Sequence, residues 1–131
     1  MANEAIPIET PTRFRRITVA DGNAIPLHTI LKLSDPFTGA ASSADGDKPA
    51  GIAWEEKTAN DGITEIVVAL DGVWDLKDSG SGITVGIPFT IGGANTIKAA
   101  AAGEAETGDI MGIPLETATA SETIRCAVNI A

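Results

Sequence analysis

Tyrosine is missing from this chain, and other aromatics are scarce: three phenylalanines and two tryptophans in 131 residues. The core must be assembled from Ile, Val, Leu and Ala, with Phe14, Phe37, Phe89, Trp54 and Trp74 as the only large rings. Cys126 is the single cysteine, so no intrachain disulfide is possible. At an apolar position of its segment it reads as a small buried hydrophobe rather than a reactive thiol. The one histidine, His28, has no motif around it that would supply a metal or a catalytic partner. No run of 18 apolar residues and no charged-then-apolar leader is present, so the expectation is no membrane span and synthesis in a reducing cytoplasm. Basic residues are few: nine Lys and Arg against 18 Asp and Glu give a net charge of −9. That balance argues against nucleic acid and against anionic membranes, both of which require a basic surface.

Catalytic signatures are also lacking. There is no phosphate-binding Gly-rich loop ending in Lys-Ser or Lys-Thr, no GxSxG, no HExxH and no Cys/His pair. Asp45-Gly46-Asp47 resembles the start of a calcium loop but lacks the later glutamate at the required spacing, so it reads as a solvated loop. Glu55-Glu56 and Glu116 invite comparison with a glycosidase carboxylate pair, but strand-end glutamates facing water are the commoner case. The expectation is a non-enzyme with no cofactor and no metal.

Turns and short β-branched runs are abundant. Fourteen Gly and seven Pro punctuate the chain, which favours an all-β domain with at most one short helix. A chain of this length forms one domain and buries roughly two-thirds of its unfolded surface. The central stretch Gly51–Gly72 reads strand, turn, strand, turn: a short apolar run, Asn60-Asp61-Gly62, then Glu65–Leu70, then Asp71-Gly72. The pattern recurs near the C-terminus. Gly112-Ile113-Pro114-Leu115-Glu116 matches Gly51-Ile52-Ala53-Trp54-Glu55. With the second loop one residue shorter, Ile124, Cys126, Val128 and Ile130 match Thr64, Ile66, Val68 and Leu70. Leu31-Lys32-Leu33 likewise sits where Phe89-Thr90-Ile91 sits. The chain therefore reads as two related β units of roughly 60 residues packed into one domain.

The remaining segments divide as follows. Residues 1–12 form a flexible, extended N-terminal arm, held out of helix by Pro7 and Pro11, and residues 13–131 form the β-rich domain. Phe14–Ala20 is the first strand; Arg13, Arg15 and Arg16 make a local basic patch, either a solvated edge or a contact for an acidic surface. Ser34–Ala50 reads as a polar loop, Val73–Leu76 as a half-buried strand, and Ile83–Val85 and Ile87–Ile91 as short strands. Ile97–Thr107 reads as a turn or two of helix, or a loop. Trp54 and Trp74 serve either as packing and interface anchors or as a sugar-stacking platform.

The order of a basic-aromatic opening strand, "LKL", "GIAWEE…DGITEIVVALDGVWDL", "GIPFTIGG" and "GIPLETATASETIRCAVNI" resembles the capsid decoration, or cement, proteins of tailed bacteriophages, from Phe14 onward. The resemblance implies a structural protein synthesised in the host cytoplasm and carried on the outer surface of the virion. It implies binding to the major capsid protein of the expanded head, bridging its subunits as a homotrimer and stabilising the shell against internal DNA pressure. By position, Ile6, Pro7, Ile8, Arg13, Phe14, Arg15 and Arg16 would be the anchor. The alternative is a carbohydrate- or surface-binding module, like an element of a head fibre, using Trp54 and Trp74.

Overall fold

Two β units, each of five strands, follow one another along the chain. The computed structural model describes residues 5–101, 103–104 and 109–130, and among them there is no helix. The first unit comprises β2 (Phe14–Thr18), β3 (Ile30–Asp35), β4 (Thr38–Ala41), β5 (Pro49–Ala53) and β6 (Glu65–Ala69). These close into a barrel in the order β2-β4-β3-β5-β6. The second comprises β7 (Asp71–Lys77), β8 (Phe89–Gly93), β9 (Thr96–Ala99), β10 (Gly112–Pro114) and β11 (Thr123–Asn129). Its order, β7-β11-β10-β8-β9, is that of the first unit, and an isolated parallel bridge from Asp78 to Ile97 brings the two ends of this sheet together into a second, incompletely paired barrel. The N-terminal β1 (Ile6–Glu9) adds a sixth strand on the outer edge of β7.

The duplication holds at the level of individual pairs. Leu31 opposite Gly51 in the first unit becomes Phe89 opposite Gly112 in the second. The bulged β3–β4 hairpin, with Leu33 opposite Gly39, is repeated as Ile91 opposite Ile97. The bridge between Ile25 and Lys57 recurs between Ile83 and Ala118. Even the left-handed residues correspond: Phe37 and Asn95 at the hairpin tips (φ 51° and 54°), Asn60 and Ser121 (61° and 65°), His28 and Gly86 (65° and 83°).

Register differs from the sequence alignment in one place. Ile52 faces Ala69, whereas Ile113 faces Ala127, so Cys126 corresponds to Val68 and Ile124 to Ile66. The second loop is three residues shorter, not one. A slip of two leaves every side chain on its expected face, because side chains alternate along a strand.

Several segments depart from the sequence reading. Asp71-Gly72 is no turn: it opens β7, and the chain passes there from barrel to sheet, with β6 and β7 unpaired. Ser34–Ala50 contains β4, which pairs with both β3 and the end of β2. Ile83–Val85 is not a strand; only Ile83 is bridged, and a turn at Gly86 follows. Ile97 lies in β9 rather than a helix, because pairing with β8 outweighs the helical preference of the alanines that follow. Residues 105–107 of that segment fall outside the described residues.

The core takes in both units. Ile17, Leu31, Ile66 and Val68 are buried in the first, and Leu76, Phe89, Ile91, Ile124 and Cys126 in the second. Burial pushes the Cys126 thiol up to about 12, with Asp75 and Glu116 adding to the effect, so it carries no thiolate at ordinary pH.

Candidate functional site

The seven anchor candidates fall on two separate elements. Ile6, Pro7 and Ile8 lie in β1, at the edge of the second unit's sheet, where Ile6 faces Asp75 and Pro7 faces Trp74. Pro tolerates this place because an edge strand leaves one row of N–H groups unpaired. Ile6 and Ile8 are exposed and Pro7 is half-buried. Arg13 immediately precedes β2, which carries Phe14, Arg15 and Arg16, in the first barrel.

The basic cluster is split by its geometry. The Arg13 guanidinium donates to Asn129 Oδ1 (2.7 Å) and to the Ile130 carbonyl (2.8 Å), and it lies 3.7 Å from Asp71. Asp71 also accepts from the Thr12 N–H (2.7 Å), the Thr12 hydroxyl (2.6 Å) and the Arg13 N–H (3.0 Å). Burial would raise the Asp71 carboxyl, but the bonds from Thr12 and Arg13 prevail and hold it below the usual carboxylate range. Arg13 thus ties the start of β2 to the end of β11. Arg15 shares the inward side of β2 with Ile17, at the open end of the barrel. Arg16 and Phe14 point the other way and are exposed.

Phe14 begins a row of rings. It lies 5.7 Å from Trp54, which lies 6.0 Å edge-on from Trp74, and His28 stands 5.6 and 5.4 Å from the two tryptophans. Trp74 is fully buried, and its indole N–H donates to the Asp71 carbonyl at 3.0 Å. Trp54 is half-buried. The two rings pack edge to face where the barrels join, so they do not present a pair of open faces to a sugar. The junction is completed by a buried polar clasp. Asn95, at the β8–β9 tip, accepts from the Ile30 N–H (2.7 Å), and its own N–H donates to the Ser42 hydroxyl (2.9 Å). Lys48–Asp109 and Lys98–Asp45 are ion pairs across the same seam.

Two surface features were not found from sequence. One is an apolar pocket of about 330 Å³ at the open end of the first barrel, lined by Arg15, Ile17, Leu33, Pro36, Phe37 and Ala50. The other, about 270 Å³, lies on the second barrel between Pro88, Ile110, Gly112, Ile113, Ala127 and Asn129. The sequence signal was available: Thr38–Ala41 repeats the spacing of Thr96–Ala99, which would have placed Phe37 at a hairpin tip. Among the described residues, no group of three or more His, Cys, Asp or Glu is arranged to hold a metal ion. Asp45 and Asp47 serve the polar loop and the seam: Asp47 Oδ2 accepts from the N–H groups of Ser43 and Ala44, and Asp45 pairs with Lys98.

No protein-family model matches the chain. No curated protein matches it either. Among solved structures, the fold is similar to that of the head fibre gp8.5 N base of bacteriophage phi29. The similarity has a TM-score of 0.55 and 16% sequence identity, and covers 89% of this chain and 93% of that one.

Proposed function

We propose that this chain is a structural protein of a tailed-phage head, a decoration protein bound to the outside of the expanded shell. The observation that carries the reading is the similarity of the fold, over nearly the whole of both chains, to a phage head fibre base. The family-like order of sequence segments points the same way. The partner is the major capsid protein, contacted by the exposed Ile6, Ile8, Phe14 and Arg16 of β1 and β2, with the half-buried Arg15 beside them. Arg13 acts indirectly, by fixing the start of β2. Bound copies bridge capsid subunits as a homotrimer and oppose internal DNA pressure, because a ligand specific to the closed lattice stabilises it by mass action. No catalysis, cofactor, nucleic acid or membrane is assigned. The sugar-platform alternative is not carried forward, since Trp74 is buried.

Co-sedimentation with empty, expanded capsids tests the reading. Binding at a fixed copy number per shell, in multiples of three per site, is expected. Removing residues 2–9 should leave the first barrel folded and weaken binding; unchanged occupancy would take β1 out of the contact. Arg15→Glu combined with Arg16→Glu should lower binding most at low salt. A folded protein that binds no form of the capsid would overturn the proposal.

A further inference from the structure

The seam between the barrels has two faces, and the duplication makes a second copy of each. The first barrel contributes Ile30, Ile52, Ala69 and Trp54, the first three fully buried. Their equivalents on the second barrel, Pro88, Ile113, Ala127 and Leu115, line or border the 270 Å³ pocket, and Ile113 and Leu115 are exposed. The second barrel contributes Trp74, Ile91 and the Asn95 tip, all buried. Their equivalents on the first barrel, Arg15, Leu33 and the Phe37 tip, line the 330 Å³ pocket. Phe37 is 69% exposed and Leu33 47%. Each barrel therefore shows openly the half of the seam that the other uses.

The chemistry of the two unused halves matches in detail. Inside the chain, the polar tip Asn95 meets the Ile30 N–H and the Ser42 hydroxyl. At the equivalent positions the tip is Phe37, Ile30 is replaced by Pro88, which has no N–H, and Ser42 is replaced by Ala100, which has no hydroxyl. The equivalence of these last two is fixed by the bond from Ser42 N–H to the Ile30 carbonyl, repeated from Ala100 N–H to the Pro88 carbonyl. A polar tip on polar receptors has become an apolar tip facing receptors with nothing to donate. Phe37 also holds left-handed backbone angles that a bulky residue rarely adopts, which keeps its ring at the apex.

We infer that these faces bind each other between copies: the Phe37 end of one molecule docks on the Pro88–Ile113–Leu115 face of the next, head to tail. The contact is heterologous, so it propagates to a ring or an open row. Arg15 in the first face and Glu116 beside Leu115 in the second carry opposite charges. The inference does not rest on the capsid reading, and a capsid-binding failure would leave it standing.

Sedimentation velocity on the purified chain tests it. Wild type should gain mass with concentration up to about 1 mM, the range in which a weak contact of this kind is populated. Phe37→Asp and Leu115→Asp each remove one face and should each remain monomeric. Both positions are exposed, and circular dichroism would verify that the variants fold. An equimolar mixture of the two variants restores one intact pair of faces and should give a capped dimer and nothing larger. Ile63→Asp, an exposed apolar change elsewhere, should associate like wild type. A wild type that stays monomeric, variants that associate unchanged, or a mixture behaving like its separate components would each overturn the inference.

Discussion

At the residue scale, the same few side chains hold the turns and report on pH. Lys57 is buried, yet its ammonium donates to the Asp21 carbonyl (2.6 Å), the Thr58 carbonyl (2.9 Å) and Asp61 Oδ1 (3.1 Å). It ties the β2–β3 connection to the β5–β6 turn, a task for which the second unit, with Ala118 there, substitutes Asp78 accepting from Gly82 and Ser121. Lys57→Ala should cost about 3 kcal/mol of unfolding free energy, because it leaves an acid and two carbonyls without their cation. Chemical denaturation would measure it. Asp61 is held at about 2 by hydrogen bonds, first from the Ile63 N–H and then from Lys57 and Thr58, with burial opposing. A carboxyl depressed on folding stabilises the fold above its ordinary value of 3.8, and that share is lost as pH falls toward 2. Asp61→Asn should flatten the pH dependence of stability between those limits, and an unchanged acid limb would deny Asp61 this part. Phe37 works the other way. Phe37→Asn, the residue found at the equivalent tip, relieves left-handed strain and should raise stability by about 1 kcal/mol while weakening self-association.

At the element scale, the repeated glycines explain why the two halves resemble each other in sequence at those positions. A Cβ on Gly51 would stand 2.6 Å from Val68 Cγ2, and one on Gly112 would collide with the Ala127 carbonyl oxygen. Each sits where β5 or β10 presses against the following strand. Gly51→Ala and Gly112→Ala should each destabilise by about 3 kcal/mol through overpacking, whereas Gly46→Ala, with open space around it but φ at 87°, should cost less. Thermal melting of the three variants would rank them. These glycines were the legible part of the sequence: they marked the duplication, and strand alternation then put Cys126 and Val128 on the buried side. What stayed hidden was set by contacts distant in the chain. Asp71-Gly72 has turn chemistry, but Thr12 and Arg13 bind Asp71 and β1 lies against Gly72, so the segment is drawn into a strand. β4 was hidden because Thr38–Ala41 lacks apolar alternation, and its pairing with β3 and with the end of β2 defines it. The candidate anchor residues form a cluster along the chain, while the fold divides them between two sheets and gives Arg13 to a structural tie.

At the scale of the whole molecule, a net charge of −9 opposes association while the two open faces favour it. The two faces expose the large apolar side chains Leu33, Phe37, Ile113 and Leu115, so the attractive part of the contact is hydrophobic and insensitive to screening. The repulsive part is long-range and falls off within about 10 Å at 0.1 M salt. Self-association should therefore strengthen as salt rises from low to moderate ionic strength. The proposed capsid contact through Arg16, with Arg15 beside it, should move the opposite way. Measuring both across the same salt series separates the two surfaces without any mutation. If self-association weakened with salt instead, a charge pair such as Arg15 with Glu116 would dominate the contact, and Arg15→Gln would then dissolve it while Leu33→Ala would leave it intact.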